Sequence, residues 1–210
     1  MKKTMVLATI AVLIAMLLPG SAGAATLKNS DFELGNLSGW KMVERGHTGE
    51  WNVYTGTPPA CETPALPAPA GGSWAVVSQM DSPGVRFLHQ TLTVPDAGPG
   101  VTLFLNAMVG WESGRPFVPQ RDFDFKTHKN QQFRIDLMKR RAPLDSLKKS
   151  DILATIIRTK KGDAISRPWG LVTKDITSLA GKTVRLRLAE IDNRGCLNAM
   201  VDDIGYSAVV

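Results

Sequence analysis

From residue 27 onward apolar and polar side chains alternate with a period of two, and helical spacing is almost absent. In "VTLFLNAMV" (101–109), Val101, Leu103, Leu105, Ala107 and Val109 share one face. "QFRIDLM" (132–138) sets Phe133, Ile135 and Leu137 against Arg134 and Asp136, and "KTVRLRLAE" (182–190) sets Val184, Leu186 and Leu188 against Arg185 and Arg187. Successive side chains of a strand point to opposite faces, so these stretches predict strands with one dry and one wet face. Further strands are predicted at 27–33, 40–43, 50–54, 73–79, 85–94, 151–158, 169–176 and 197–206. Turn clusters such as "DSPG" (81–84), "PDAGPG" (95–100), "KKGD" (160–163) and "LAGK" (179–182) separate them. About ten short strands, evenly spread, predict an all-β, single-domain β-sandwich or jelly roll of antiparallel strands.

Three longer stretches interrupt the alternation. "TGTPPACETPALPAPAGGS" (55–73) is rich in Pro, Ala and Gly and predicts an extended surface loop. "GWESGRPFVPQRDFDFKTHKN" (110–130) carries Trp111, Phe117, Phe123 and Phe125 among charges. Those aromatics either clamp the loop onto the sandwich or form a binding rim. "KRRAPLDSLKKS" (139–150) is basic and reads as a solvated strand connection with room for a helical turn.

The first 24 residues are set apart from the fold. Lys2 and Lys3 precede an uncharged apolar run from Met5 to Leu18; Pro19-Gly20 ends it, and Ala22-Gly23-Ala24 supplies a small-x-small cleavage pattern. This predicts a signal peptide cut after Ala24 and a secreted or periplasmic protein. The apolar run is short for a membrane span, and no second one follows, so no membrane insertion is expected. No sorting signal follows Val210, which fits a free exported protein. Residues 25–210 form the predicted domain, large enough for a real core.

The formal charge of +6 falls to +4 with the leader's two lysines, which implies a mildly basic surface. Cys61 and Cys196 are the only two cysteines, and in an oxidising compartment they favour one disulfide closing a long loop.

Both ends of the predicted domain resemble a known family. "NSDFELGNLSGW" (29–40) resembles the N-x-x-F-E-x-G-x-x-x-x-W opening of carbohydrate-binding modules of the family 4/9 and 22 kind, galactose-binding-like jelly rolls. "DITSLAGKTVRLRLAEIDNRGCLNAMVDDIGYS" (175–207) looks like that group's final strands, and "FLHQTLTVP" (87–95) like its Gln-containing strand before a Pro/Gly turn. Residues 110–150 depart from the shorter modules. The resemblance implies a structural calcium held by Glu33, the carbonyl of Asp31, and Asp202 or Asp203, and alternation along "NAMVDDIGY" favours Asp202. Calcium accepts six to eight hard oxygens from mixed carboxylates and carbonyls. The same acids would alternatively cap turns. Trp40 is similar to the family's core tryptophan.

The resemblance implies a polysaccharide or glycan partner, with sugar rings laid on aromatic faces. Tyr54, Trp74, Trp111 and Trp169 are the candidates; Trp111 and Trp169 stand out because they adjoin Glu112, Arg115 and Arg167, whereas Trp74 reads as core. Asn106, Gln132, Arg134 and Arg185, the outward residues of central strands, would line a polar concave face. Catalytic signals are poor: His47, His89 and His128 match no metal-ligand spacing, and no G-x-S-x-G elbow occurs. The expectation is an exported, non-catalytic carbohydrate-binding module. Its alternatives are a surface adhesion or assembly domain and a glycosidase or lyase on the same scaffold. "KRR" (139–141) and the two "KK" pairs lack interleaved aromatics, so no nucleic acid partner is expected.

Overall fold

The period-two stretches become the strands of two facing antiparallel sheets. The computed structural model describes residues 27–46, 49–58, 65–80 and 83–210; the predicted leader and Cys61 lie outside these described residues. Ten strands follow in order: β1 (Lys41–Gly46), β2 (Trp51–Tyr54), β3 (Ala75–Met80), β4 (Gly84–Thr93), β5 (Thr102–Ser113), β6 (Gln131–Lys139), β7 (Ile152–Arg158), β8 (Ser166–Asp175), β9 (Thr183–Asp192) and β10 (Leu197–Val209). The first sheet has the order β1-β4-β9-β6-β7 and the second β2-β3-β10-β5-β8. Only β2–β3 and β6–β7 are consecutive strands paired within one sheet, so most connections cross the sandwich. This is the predicted β-sandwich. Among the described residues no helix is long and apolar enough to cross a membrane.

The core is what the alternation implies. Leu88 and Leu92 of β4, Phe133, Ile135 and Leu137 of β6, and Val184, Leu186 and Leu188 of β9 face Leu103, Leu105, Ala107 and Val109 of β5 and Ala199 and Val201 of β10. Burying each large aliphatic side chain stabilises the sandwich by about 1.5–3 kcal/mol before entropy is charged.

Four expectations change. Residues 27–33 are turn, not strand: Asn29 and Phe32 adopt positive φ (45° and 57°), and the Gly35 amide donates to Phe32 O. Asn29 Nδ2 donates to Asn36 O at 2.6 Å and Asn29 Oδ1 accepts from the Leu34 amide. Short amide side chains here replace a strand partner, a competition that favours turns. Phe32 still reaches the core, stacked on Trp40 at 5.5 Å. Secondly, β5 runs through Trp111 to Ser113, so the long connection starts later than the sequence implied.

Thirdly, the segment after β6 is not a solvated connection. Ala142 and Ser146 are buried, and Arg185 and Arg187 of β9 donate to the carbonyls of Ala142, Leu144 and Ser146. Fourthly, part of the Pro-rich stretch folds back. Leu66 is buried against Tyr54, Val77 and Met200 on the outer face of the second sheet.

Candidate functional site

The outer face of the first sheet, where the sequence placed a polar binding surface, is largely roofed. Phe123 packs edge-on to Phe87 at 5.2 Å and beneath the Arg187 guanidinium, with Val85, Ala189 and Ile191 around it. The aromatics of 110–130 therefore clamp that segment to the sandwich. Gln132 is buried and donates to Asn130 Oδ1 (2.8 Å) and Asp122 O (3.2 Å), holding the roof. Arg134 grips Asp136 in a two-pronged pair (2.7 and 2.8 Å), and Arg187 approaches the same carboxylate from β9. Burial alone would raise the Asp136 carboxyl; the two guanidinium groups outweigh it and hold it below the usual carboxylate range.

Asn106 does not share this face. It belongs to the second sheet and donates to Ser207 Oγ at 2.8 Å. Alternation separates inward from outward residues but does not say which sheet a strand joins.

The aromatic candidates also disperse. Trp111 is buried between the sheets, edge-on to Phe117, with its Nε1 donating to Ala164 O at 3.0 Å and Arg167 over its ring. Tyr54 is buried, its hydroxyl on Pro67 O at 3.1 Å. Trp169 is half-buried beside it and donates to Ala68 O at 2.8 Å. Trp74 packs across Gly35, where positive φ (64°) and the close indole both favour glycine. These rings fasten the 65–72 segment and the opening turn.

The acids proposed for calcium do gather. Glu33 Oε1 accepts from the amides of Ser73 and Trp74 (both 2.9 Å); Asp202 Oδ2 accepts from Gly71 and Oδ1 from Asp203 (2.9 and 2.8 Å). A side chain at Gly71 would strike the Asp203 carboxylate and one at Gly72 that of Glu33. A bulge between Asp202 and Gly205, with Asp203 at φ 47°, breaks the alternation of β10. Asp202, just before the bulge, lies with Met200 on the face opposite Val201 and meets the 65–72 segment, while the bulge after it returns Ile204 to the core. Burial raises its carboxyl to about 6 against those two amides. Amides aimed at both Asp202 oxygens make it a poor cation ligand. Asp31 Oδ1 accepts from the Glu33 amide, while among the described residues no donor meets Glu33 Oε2 or the Asp203 carboxylate. Among the described residues no three acid, histidine or cysteine side chains converge on one point.

Cys196 is buried at the start of β10, while its expected partner Cys61 is outside the described residues. Inside one end of the sandwich lies a polar pocket of the core. Alternation puts Glu190 and Asp192 on the inward face of β9, opposite Arg86 and Gly84 of β4; Asp192 also faces Gln131 of β6. Gln131 Nε2 donates to Ser113 Oγ at 2.6 Å, and Arg194 N to Asp192 Oδ1 at 2.7 Å, but Gln131 Oε1 and Asp192 Oδ2 have no partner among the described residues. Burial drives Glu190 well above the carboxylate range and Asp192 to about 7.

Two basic depressions remain open. The smaller, about 430 Å³, lies beside β1 and β4 and is lined by Lys28, Lys41, His89, Arg140 and Arg185. Burial, then the charges of Arg185 and Lys41, push the His89 imidazole down to about 4, so it is neutral at physiological pH. The larger is a groove of about 710 Å³ along the β7 edge of the first sheet, closed on the far side by the end of β8 and the turn after it. Ile152, Leu153, Ala154, Ile176 and Leu179 make its floor. Arg121, Lys149, Arg158 and Lys174 stand on its rim, all exposed and none in an ion pair among the described residues, while Arg134 reaches it with its charge already matched by Asp136. Among the described residues Asp175 is the only carboxylate lining it, and it accepts from the Thr177 amide (2.9 Å) and hydroxyl (2.8 Å). Sequence reasoning missed this groove. Its cations lie in four separate segments, and only knowledge that β7 and β8 are edge strands brings them together.

No known family matches the chain, and no curated protein matches it significantly. Solved structures do. The chain is similar to the enzymatically active domain of tailspike protein 4 from bacteriophage CBA120 (TM-score 0.51, 9% identity, 88% of this chain), although it spans only 21% of that chain. It is similar to TmCBM61, solved in complex with β-1,4-galactotriose (0.50, 12% identity, 88% of this chain and 97% of that one). A cyclase from Fischerella sp. TAU is also similar (0.50, 18% identity, 90% and 98%). At these identities the likeness is one of fold, shared by enzymatic and non-enzymatic proteins alike.

Proposed function

We infer that this chain is a non-catalytic glycan-binding β-sandwich whose binding surface is the open groove at the β7 edge. The groove carries the reading: about 710 Å³ of open trough, with hydrogen-bonding side chains above an aliphatic floor. Sugar rings present hydroxyls at their edges and C–H groups on their faces, which suits such a cross-section. β7 is an edge strand, so one side of its backbone has no sheet partner and offers further donors and acceptors. Most glycosidases flank the scissile bond with two carboxyl groups, and among the described residues the groove is lined by one, already engaged by Thr177. The fold shared with TmCBM61 supports a glycan partner. In this reading Trp111, Tyr54, Trp169, Gln132 and Asn106 hold the scaffold, and Arg134 contributes to the groove.

Three further proposals accompany it. A structural calcium would be held by Glu33, Asp203 and the Asp31 carbonyl, tying the opening turn to β10; Asp202 serves instead as an amide acceptor. Export would follow cleavage after Ala24, and Cys61 would pair with Cys196.

The test is a glycan array combined with a reducing-end assay on the mature chain. Retention on at least one polysaccharide without release of new ends is expected. Turnover abolished by a single carboxylate substitution, or no retention on any glycan, overturns the reading.

A further inference from the structure

We propose that the β7-edge groove selects acidic glycans, those bearing carboxylate or sulfate groups, over neutral ones; this rests on the glycan-binding reading above. Two observations point the same way. The first is what the groove lacks. Neutral sugars are gripped largely by aromatic platforms, yet the lining contains no Trp, Tyr or Phe, and the aromatic rings nearby are committed to the core and the roof. An aliphatic floor seats the C–H face of a sugar but adds no aromatic stacking, so the polar groups of the rim must supply the selectivity.

The second is what the groove has. Arg121 comes from the roof over the first sheet, Lys149 from the segment before β7, Arg158 from the end of β7, and Lys174 from β8. These four cations converge from four parts of the chain onto one trough, and among the described residues no carboxylate pairs with any of them. Ion pairs occur elsewhere among the described residues, Arg45 with Asp145 and both Arg134 and Arg187 with Asp136, but many exposed cations stand alone, so what sets this groove apart is the convergence of four of them on one trough with an aliphatic floor. Like charges facing each other across a groove repel, and a bound anion removes that repulsion while gaining up to four contacts. Guanidinium groups add planar two-pronged recognition of carboxylate and sulfate. A nucleic acid offers the same charge, but single strands are held by bases stacked on aromatics, and none is available here.

The experiment measures retention of the mature chain by polygalacturonate, dextran sulfate, neutral β-1,4-galactan and duplex DNA at low and high salt. Binding to one or both acidic polymers is expected, weakened by salt as exposed ionic contacts are. Arg158→Glu/Lys174→Glu should weaken it by at least roughly tenfold, since two attractive surface contacts become repulsive. Lys126→Glu/Lys129→Glu makes the same charge change at residues that do not line the groove and should leave retention within about twofold. Circular dichroism confirms that both variants fold. Binding to galactan that equals binding to the acidic polymers overturns the acidic selectivity and leaves the glycan reading standing. Retention by no glycan overturns both. Equal loss in the two double variants, or DNA held as tightly as polygalacturonate, overturns the groove in favour of diffuse attraction to polyanions.

Discussion

Asp192 offers a quantitative check on the polar end of the core. It is fully buried, and burial lifts its carboxyl from 3.8 to about 7 against the backbone amides of Arg194, Gly195 and Asn193. The folded protein then binds this proton more tightly than the unfolded chain, so stability falls as pH rises from 3.8 to about 7. Below that window the acid is neutral in both states and costs nothing; above it the whole penalty is present. At 1.36 kcal/mol per tenfold, the interval corresponds to about 4 kcal/mol.

Asp192→Asn removes the charge and keeps an oxygen for the Arg194 amide, which lies 2.7 Å from Asp192 Oδ1. Urea unfolding of both proteins at pH 4, 5, 6, 7 and 8 reads the effect of Asp192 together with its coupling to the neighbouring Glu190, since the more distant titrating groups are common to both. The variant should gain stability relative to the parent by about 3–4 kcal/mol between pH 4 and pH 8, with most of the change between pH 5 and 7. A difference that stays constant within about 1 kcal/mol across the series refutes the account of Asp192 as an uncompensated buried acid.

Phe32→Ala should cost about 3–5 kcal/mol in denaturant unfolding, because it empties a fully buried site stacked on Trp40; a loss below about 1 kcal/mol would mean that the opening turn does not close the core. Chelation should lower the melting temperature and calcium should restore it, saturation at a hundred times Kd being worth about 2.7 kcal/mol; Asp203→Asn should abolish the response, and no shift in the parent removes the calcium proposal. Intact mass of the exported chain, measured before and after reduction, should begin at Ala25 and rise by two hydrogens; a retained leader or an unchanged mass removes the corresponding proposal.

The sequence made the inward faces legible and left the outward ones obscure. Leu103 to Val109, Phe133 to Leu137 and Val184 to Leu188 could be read directly, because a one-residue slip would turn every apolar group outward. Trp40 was legible as core only through the resemblance of the opening motif, and Phe32 reaches the core from a turn that alternation did not foresee. The outward residues resisted because their partners are distant: Gln132 meets Asp122, and Arg185 meets Ala142. Trp111 was misleading for another reason. Glu112 and Arg115 beside it suggested a loop, but β5 continues through it and alternation carries its ring inward.

What the covering segments do to the first sheet also explains where binding can occur. Gln132, Arg185 and Arg187 each have the chemistry of a sugar ligand, but their donors are held by the protein's own carbonyls at Asp122, Ala142 and Leu144. Displacing them would expose Phe123, Leu144 and Leu147 to water and leave Asp136 buried without one of its guanidinium partners. Breaking a buried charge pair alone costs about 3–5 kcal/mol, more than a few sugar hydroxyls return. The roof is therefore part of the fold rather than a lid. On the second sheet, Tyr54 and Trp169 are likewise tied to Pro67 and Ala68. The β7 edge differs from both faces. Its strand has an unpaired side, its floor is aliphatic, and its four rim cations form no ion pair among the described residues, so a ligand there satisfies groups the fold leaves open instead of breaking contacts it has already made.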